Sequence, residues 1–296
     1  MDQTELKQPK SNLKWLWWGL GSFFTLLLAF QIGAWSTGFS SDGVGKKVGI
    51  VHISGPIVFA EDIVKQLEKI SNRKDVAAIV VRIDSPGGLV APTQEIYEKI
   101  KSIKKEKPII SSMGSVAASG GYYVALGSDS IMANPGTILG SIGVILNYPI
   151  MTELLDKVGI EFETVKSGKL KDVGSYSRAV TKADRSHLND MVSDMYSQFV
   201  RAVSQNRSMP EADVIQLADG RVYTGKQSIE LGLIDVIGTF EDAIVLAGLM
   251  GQISGKPKTV QVKKKRPSPL DWFSGNLGQT VSGWFDELPA YRWRME

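Results

Sequence analysis

The chain has 296 residues, of which 43% are hydrophobic and 22% charged, an ordinary globular composition with enough apolar mass for a substantial core. A formal charge of +3, with short basic runs at Lys104-Lys105 and Lys263 to Arg266 that lack interleaved aromatics, argues against nucleic-acid binding. The absence of cysteine excludes a thiol nucleophile, a disulfide framework and a thiolate metal site, and His52 and His187 alone do not make a metal cluster, so neither metal nor cofactor is expected.

Residues 1–14 read as a cytoplasmic N-terminus and 15–36 as a transmembrane anchor. Trp15 to Trp35 carries no charge, and as a helix it rises about 31 Å, close to the roughly 30 Å hydrocarbon core. Trp15, Trp17, Trp18 and Trp35 sit near its ends, where amphipathic rings favour the interface. A cleaved signal peptide is the competing reading, but the span is long and Gly33-Ala34-Trp35-Ser36 only weakly resembles a cleavage site. Lys7, Lys10 and Lys14 precede the span, so the expected place is the cell membrane, single-pass, with the body extracytoplasmic.

Residues 37–45, rich in Gly, Ser and Thr, form the expected tether to a body over 46–250. Val48 to Ile53 and Ala77 to Ile83 read as strands separated by the amphipathic helix Glu61 to Ile70, which implies a crossover and an α/β fold. The alternation continues with helix Thr93 to Ile103, strand Pro108 to Met113, helix Ser119 to Leu126 and a short strand near Ile131. Glu161 to Lys166 is expected as a further strand. Thr181-Lys182-Ala183-Asp184 resembles a capping box opening a long helix to about Ser204. The apolar face of that helix, including Met195, Phe199 and Val203, reads as core or subunit packing. Pro210 to Leu217, Gln227 to Leu231 and Phe240 to Leu249 read as shorter helices around an extended Arg221-Val222-Tyr223. Residues 251–296 read as a linker and a tail bearing Trp272, Phe273, Trp284, Phe285, Tyr291 and Trp293.

Chemistry is concentrated in a few segments. Ser119, in Ala117-Ala118-Ser119-Gly120-Gly121, falls at an expected strand-to-helix turn, where it is a candidate nucleophile or a plain helix cap. A serine needs a base. His52 lies within a strand and His187 on a polar-flanked helix, so both read as structural or surface residues. The remaining base for a serine is an amine, and a lysine serves when burial brings its pKa toward roughly 7–8. Lys166, Lys169 and Lys171 lie in or beside the glycine-broken stretch Ser167 to Ser175, and spacing does not choose among them. Asp84-Ser85-Pro86-Gly87-Gly88 follows a strand and lets backbone N–H groups face a bound carbonyl oxygen, although an isolated S-P-G-G is a common turn.

Taken together, Arg82 to Gly88, Ala117 to Tyr123, Gly140-Ser141-Ile142-Gly143-Val144, Ser167 to Asp172 and Gly220 to Gly225 resemble, in order, the motifs of the signal peptide peptidase A family, the S49 group of membrane-anchored serine proteases. The resemblance covers about Val48 to Leu249 and fits the short, single-domain form. It implies a ClpP/crotonase-like fold behind an N-terminal transmembrane helix, and a Ser-Lys dyad of Ser119 and Lys171. Gly87 or Gly88 with Gly120 would form the oxyanion hole, and Ser141 is a candidate to orient the lysine. The resemblance further implies a homo-oligomeric ring, an octamer, with the dyad shared between subunits. Substrates would be cleaved signal peptides or other apolar peptides at the membrane lipid. A silent peptide-binding scaffold and a crotonase-type acyl-CoA enzyme are the alternatives that share this framework.

Overall fold

The computed structural model describes residues 45–262 and the backbone of 290–292. The expected anchor, the tether and most of the tail lie outside the described residues. No helix among the described residues is long and apolar enough to cross a membrane.

The body is a mixed sheet between helical layers. β1 (Lys47–Ser54) and β2 (Val76–Ser85) are continuous apolar runs because both of their faces are covered. They pair in parallel, and β2 pairs in parallel with β4 (Ile109–Ala118). Successive side chains of β2 serve opposite faces. Ile79, Val81 and Ile83 join the larger core with α1 (Glu61–Ser71), α2 (Val90–Ile103) and α3 (Gly120–Ala125). Ala78 and Val80 face Ala243, Ile244 and Ala247 of α8 (Phe240–Met250).

β4 is longer than its apolar run predicts because it serves two neighbours. Ile110–Ser112 pairs with β5 (Ser130–Ala133), while Val116–Ala118 pairs with β6 (Ile138–Gly140). β7 (Val222–Thr224) runs antiparallel to β6, and β8 (Val236–Ile237) extends β5. Past the expected end of the body, β9 (Lys258–Gln261) adds a parallel strand to β1. β3 (Gly87–Leu89) stands outside this sheet and pairs with β10 (Ala290–Arg292).

Between β6 and α5 (Lys182–Arg207) the chain leaves the core. This arm holds one short helix, α4 (Thr152–Val158), ended by Gly159 in the left-handed conformation at φ 70°. The strand expected over Glu161 to Lys166 is not formed. All six residues are exposed and have no neighbouring strand, so their alternation has no ladder to join. Phe162 instead stacks edge-on against Tyr176, 5.7 Å away. The capping box at the start of α5 is formed as its sequence spells it, with the Asp184 N–H donating to Thr181 and the Thr181 N–H donating to Asp184. Apart from Asp184 in its first turn, α5 is buried only in its C-terminal half, at Phe199, Val200, Ala202 and Val203. α6 (Glu211–Leu217) and α7 (Gly225–Glu230) complete the body.

Candidate active site

The C-terminal ends of β2, β4 and β6 converge on one point, as open α/β sheets direct their function-bearing loops to do. β4 ends at Ala118 and α3 begins at Gly120, so Ser119 takes the whole change of direction alone. Its φ of 53° and ψ of −116° are strained for a residue with a Cβ. The Ser119 N–H donates to the Gly140 carbonyl at 2.7 Å, and the Tyr123 N–H donates back to the Ser119 carbonyl at 2.9 Å. Both backbone groups are thus engaged, while the hydroxyl is buried with no hydrogen-bond partner among the described residues. It is not a helix cap: the α3 N-terminus has no side-chain cap bond.

β3 passes directly beside this turn. A Cβ placed on Gly120 would lie 3.1 Å from the Gly88 nitrogen and 3.2 Å from the Gly87 Cα, so glycine is what allows the close approach. The Gly87 N–H donates to Ser85 Oγ at 3.2 Å. Of the two candidate glycines, it is thus Gly88 whose amide is not taken up by Ser85 and lies beside Gly120. Gly88 itself admits no side chain, since its Cβ would fall 2.0 Å from the Ile57 carbonyl oxygen. Thr93, in the first turns of α2, is a neighbour that sequence reasoning missed. It is fully buried with an unpartnered hydroxyl, and Thr93 Oγ1 would stand 2.9 Å from a Gly120 Cβ. No local sequence signal separates it from an ordinary helix residue.

Tyr122 and Tyr123 anchor α3 and hold its start in place. Tyr122 donates to the Leu233 carbonyl at 2.8 Å, and burial pushes its phenol well above the ordinary value. Burial pushes Tyr123 up to about 12. Both stay neutral and supply no base.

Ser141 follows Gly140, the acceptor of the Ser119 N–H, and its own N–H donates to the Arg221 carbonyl at 2.8 Å. It borders an open cavity of about 410 Å³ that is also lined by Val144, Val192, Tyr196 and Asp219. Lys171 is not there. It lies exposed on the arm, as does Lys169, and within one chain neither reaches the Ser119 hydroxyl.

The segment carrying Lys171 is nevertheless fixed. Asp172 receives Arg178 Nε and Nη2 at 2.8 Å each, and Lys166 Nζ at 2.7 Å. The same guanidinium reaches Asp184 at 2.5 and 3.1 Å, tying the lysine segment to the start of α5. Arg178, followed by Lys166, holds the Asp172 carboxyl well below the usual carboxylate range. Arg178, with help from the Thr181 N–H, does the same for Asp184. His187 is exposed on α5, and His52 sits on β1 against the Phe240 ring, so neither joins the site. Among the described residues no group of acidic or histidine side chains could hold a metal ion.

Comparison with known proteins places these features in a family. Residues 101–251 match Peptidase family S49, and residues 47–137 match Clp protease. The chain is 40% identical to a putative protease of Synechocystis sp. over 80% of its own length and 90% of that protein. It is 40% identical to a putative signal peptide peptidase of Enterococcus faecium over 62% of its length and 54% of that protein. It is also 32% identical to a chloroplastic serine protease of Arabidopsis thaliana over 83% of its length and 38% of that protein.

Proposed function

The chain belongs to peptidase family S49 and is a peptidase with a ClpP-like α/β fold, and from that premise we propose that it is a membrane-anchored serine endopeptidase whose catalytic dyad, Ser119 and Lys171, is completed between copies of the chain. The observation that carries this reading is the buried Ser119 hydroxyl, unpartnered at a strained turn and flanked by Gly88 and Gly120.

In this mechanism Ser119 Oγ attacks the substrate carbonyl carbon and its proton passes to Lys171 Nζ. The Gly88 and Gly120 N–H groups receive the developing oxyanion. The amine leaves with the proton, and water then hydrolyses the acyl-serine with Lys171 again taking the proton. The Ser141 hydroxyl orients the amine from the cavity floor. Because Lys171 is exposed on an arm and the cavity beside Ser141 is open, the lysine arrives from a second copy, in a closed ring such as an octamer. The substrates are apolar peptides, including signal peptides left in the lipid, on the extracytoplasmic side.

The test is complementation. Ser119→Ala and Lys171→Ala are each inactive alone, while Lys169→Ala keeps activity. When the two inactive forms are co-assembled at equal amounts, a site is restored wherever an intact serine meets an intact lysine. Activity then returns to about one quarter of the native level. No recovery, with mixed assemblies confirmed by mass, defeats sharing of the dyad, and full activity of Lys171→Ala removes that residue from the reaction.

A further inference from the structure

β1, β2, β4, β5 and β9 run parallel, so they all begin at the end of the sheet opposite the Ser119 turn, and α1, α2, α3 and α8 end there. The loops gathered at that end are residues 45–46, 72–75, 104–108, 126–129 and 251–257. They are strongly basic in a chain whose formal charge is only +3. Lys46, Lys74, Lys105 and Lys256 are exposed in them and form no ion pair among the described residues. The acidic side chains of the same loops are largely engaged. Asp75 pairs with Arg73 and Lys47, and the Asp129 carboxylate accepts the Ile109 N–H at 2.8 Å, which leaves Glu106. Positive charge is crowded enough that burial and then the nearby Lys46 lower the pKa of Lys107.

The helix dipole ordinarily explains cations at helix C-termini, but it acts within the last turn, and none of these four lysines lies in a helix. Two further features mark the same end. α8 stops there on exposed apolar side chains, Leu249 at 69% and Met250 at 39%, and the following Gly251 packs on Ala77 and Ala78 at the start of β2. Lys46 is also where the chain enters the body. The nine residues 37–45 join it to the expected anchor and, fully extended, reach about 30 Å.

We propose that this end of the body is a membrane-contact face, on which Lys46, Lys74, Lys105 and Lys256 bind anionic lipid headgroups while Leu249 and Met250 enter the interface. The proposal rests on the membrane-anchored reading above and narrows its substrates. β4 rises about 3.3 Å per residue from Ile109 to Ala118, which puts Ser119 on the order of 30 Å from the headgroups. An apolar peptide lying in the bilayer then has to be drawn out over that length before the serine meets it. The face sets how far a substrate must emerge, and the groove acts on the emerged part.

The chain has no cysteine, so a single fluorescent label can be placed at either end of the sheet. Ser254→Cys lies in the basic loops and Asp62→Cys at the start of α1, and both positions are exposed. Each full-length form is reconstituted in vesicles carrying a headgroup quencher, made of phosphatidylcholine with or without phosphatidylglycerol. With phosphatidylglycerol, the label at 254 is expected to be quenched about threefold more than the label at 62, and raised salt should remove the difference. Joint replacement of Lys46, Lys74, Lys105 and Lys256 by Glu should remove it too, while digestion of a soluble peptide in the same vesicles persists and reports an intact body. Equal quenching at the two positions, or quenching at 254 that is indifferent to phosphatidylglycerol and to the charge reversal, overturns the proposal. Protection of the 254 label from a soluble quencher in detergent would make this face a contact between copies and also overturns it. Carbonate extraction reads the anchor separately: a chain stripped from the vesicles defeats the anchored reading, whereas a chain that resists extraction without selective quenching at 254 defeats only the contact face.

Discussion

Ser119 is held in a conformation that costs stability, and removing it has a calculable sign. The buried hydroxyl without a partner is destabilising by about 1–3 kcal/mol. A residue with a Cβ at φ 53° and ψ −116° carries about 1–3 kcal/mol of backbone strain. Ser119→Ala removes the first cost and keeps the second, and is expected to stabilise the protein by about 1 kcal/mol. Ser119→Gly removes both, against about 0.5–1 kcal/mol of added unfolded-state entropy, so it should be at least as stable as the alanine form. For a body of this size each kcal/mol corresponds to about 2–4 °C. Thermal unfolding of the native, alanine and glycine forms at one protein concentration should therefore rise in that order, while kcat/KM falls by about 10⁴-fold or more in both variants. A Ser119→Ala variant less stable than the native protein would refute the reasoning, because it would mean that the hydroxyl makes a stabilising bond.

Gly88→Ala is expected to lose activity and about 1–3 kcal/mol of stability, since the new Cβ meets the Ile57 backbone rather than a side chain that can turn away; denaturant titration and peptide cleavage check both. Arg178→Ala is expected to lower kcat with KM little changed, because it releases the lysine segment and leaves β3 untouched, and Arg178→Lys should recover only part of the loss. The folded Asp172 and Asp184 carboxyls are held below their ordinary values, so the clamp's stability is fully present above about pH 4 and is lost as pH falls through the lower folded values. The difference in thermal stability between the native and Arg178→Ala forms should therefore stay constant from neutral pH to about 5 and shrink toward pH 2. Phe162→Glu with Val165→Glu, on the exposed arm, should abolish assembly and activity together while leaving the secondary-structure content of the body unchanged, as read by sedimentation and circular dichroism.

What was legible in the sequence was what the chain specifies locally. β1 and β2 announce themselves as unbroken apolar runs, and Thr181 and Asp184 spell a cap that closes within three residues. The Ser119 turn is equally local, because the glycines after it permit the approach of β3. The length of β4 was not legible, since its second half is a strand only because β6 comes to meet it. Glu161 to Lys166 erred in the opposite sense: it carries strand-forming residues, but no edge lies within reach. Arg178 was missed because its two carboxylates stand six residues to either side and meet only when the arm folds back on α5. The tail showed only aromatic character, and its pairing with β3 depends on a groove edge that no local pattern describes.

The fold divides the labour of the site between two kinds of structure. The serine, the glycine amides and Ser141 are set by strand ends packed into the core, where side chains have no room to shift. The lysine is set by an arm outside that core, on which Ile150, Leu154, Val158, Ile160, Phe162 and Val165 are left exposed. An apolar arm that binds nothing would be a liability in water. Its composition is explained when the arm lies on another copy, and the same contact would bring the lysine to the cavity beside Ser141. In the proposed mechanism, a nucleophile made in one chain and a base supplied by its neighbour leave an unassembled chain inactive. On that reading, folding alone yields a stable body with a poised but unactivated serine, and peptide cleavage would begin only where copies accumulate.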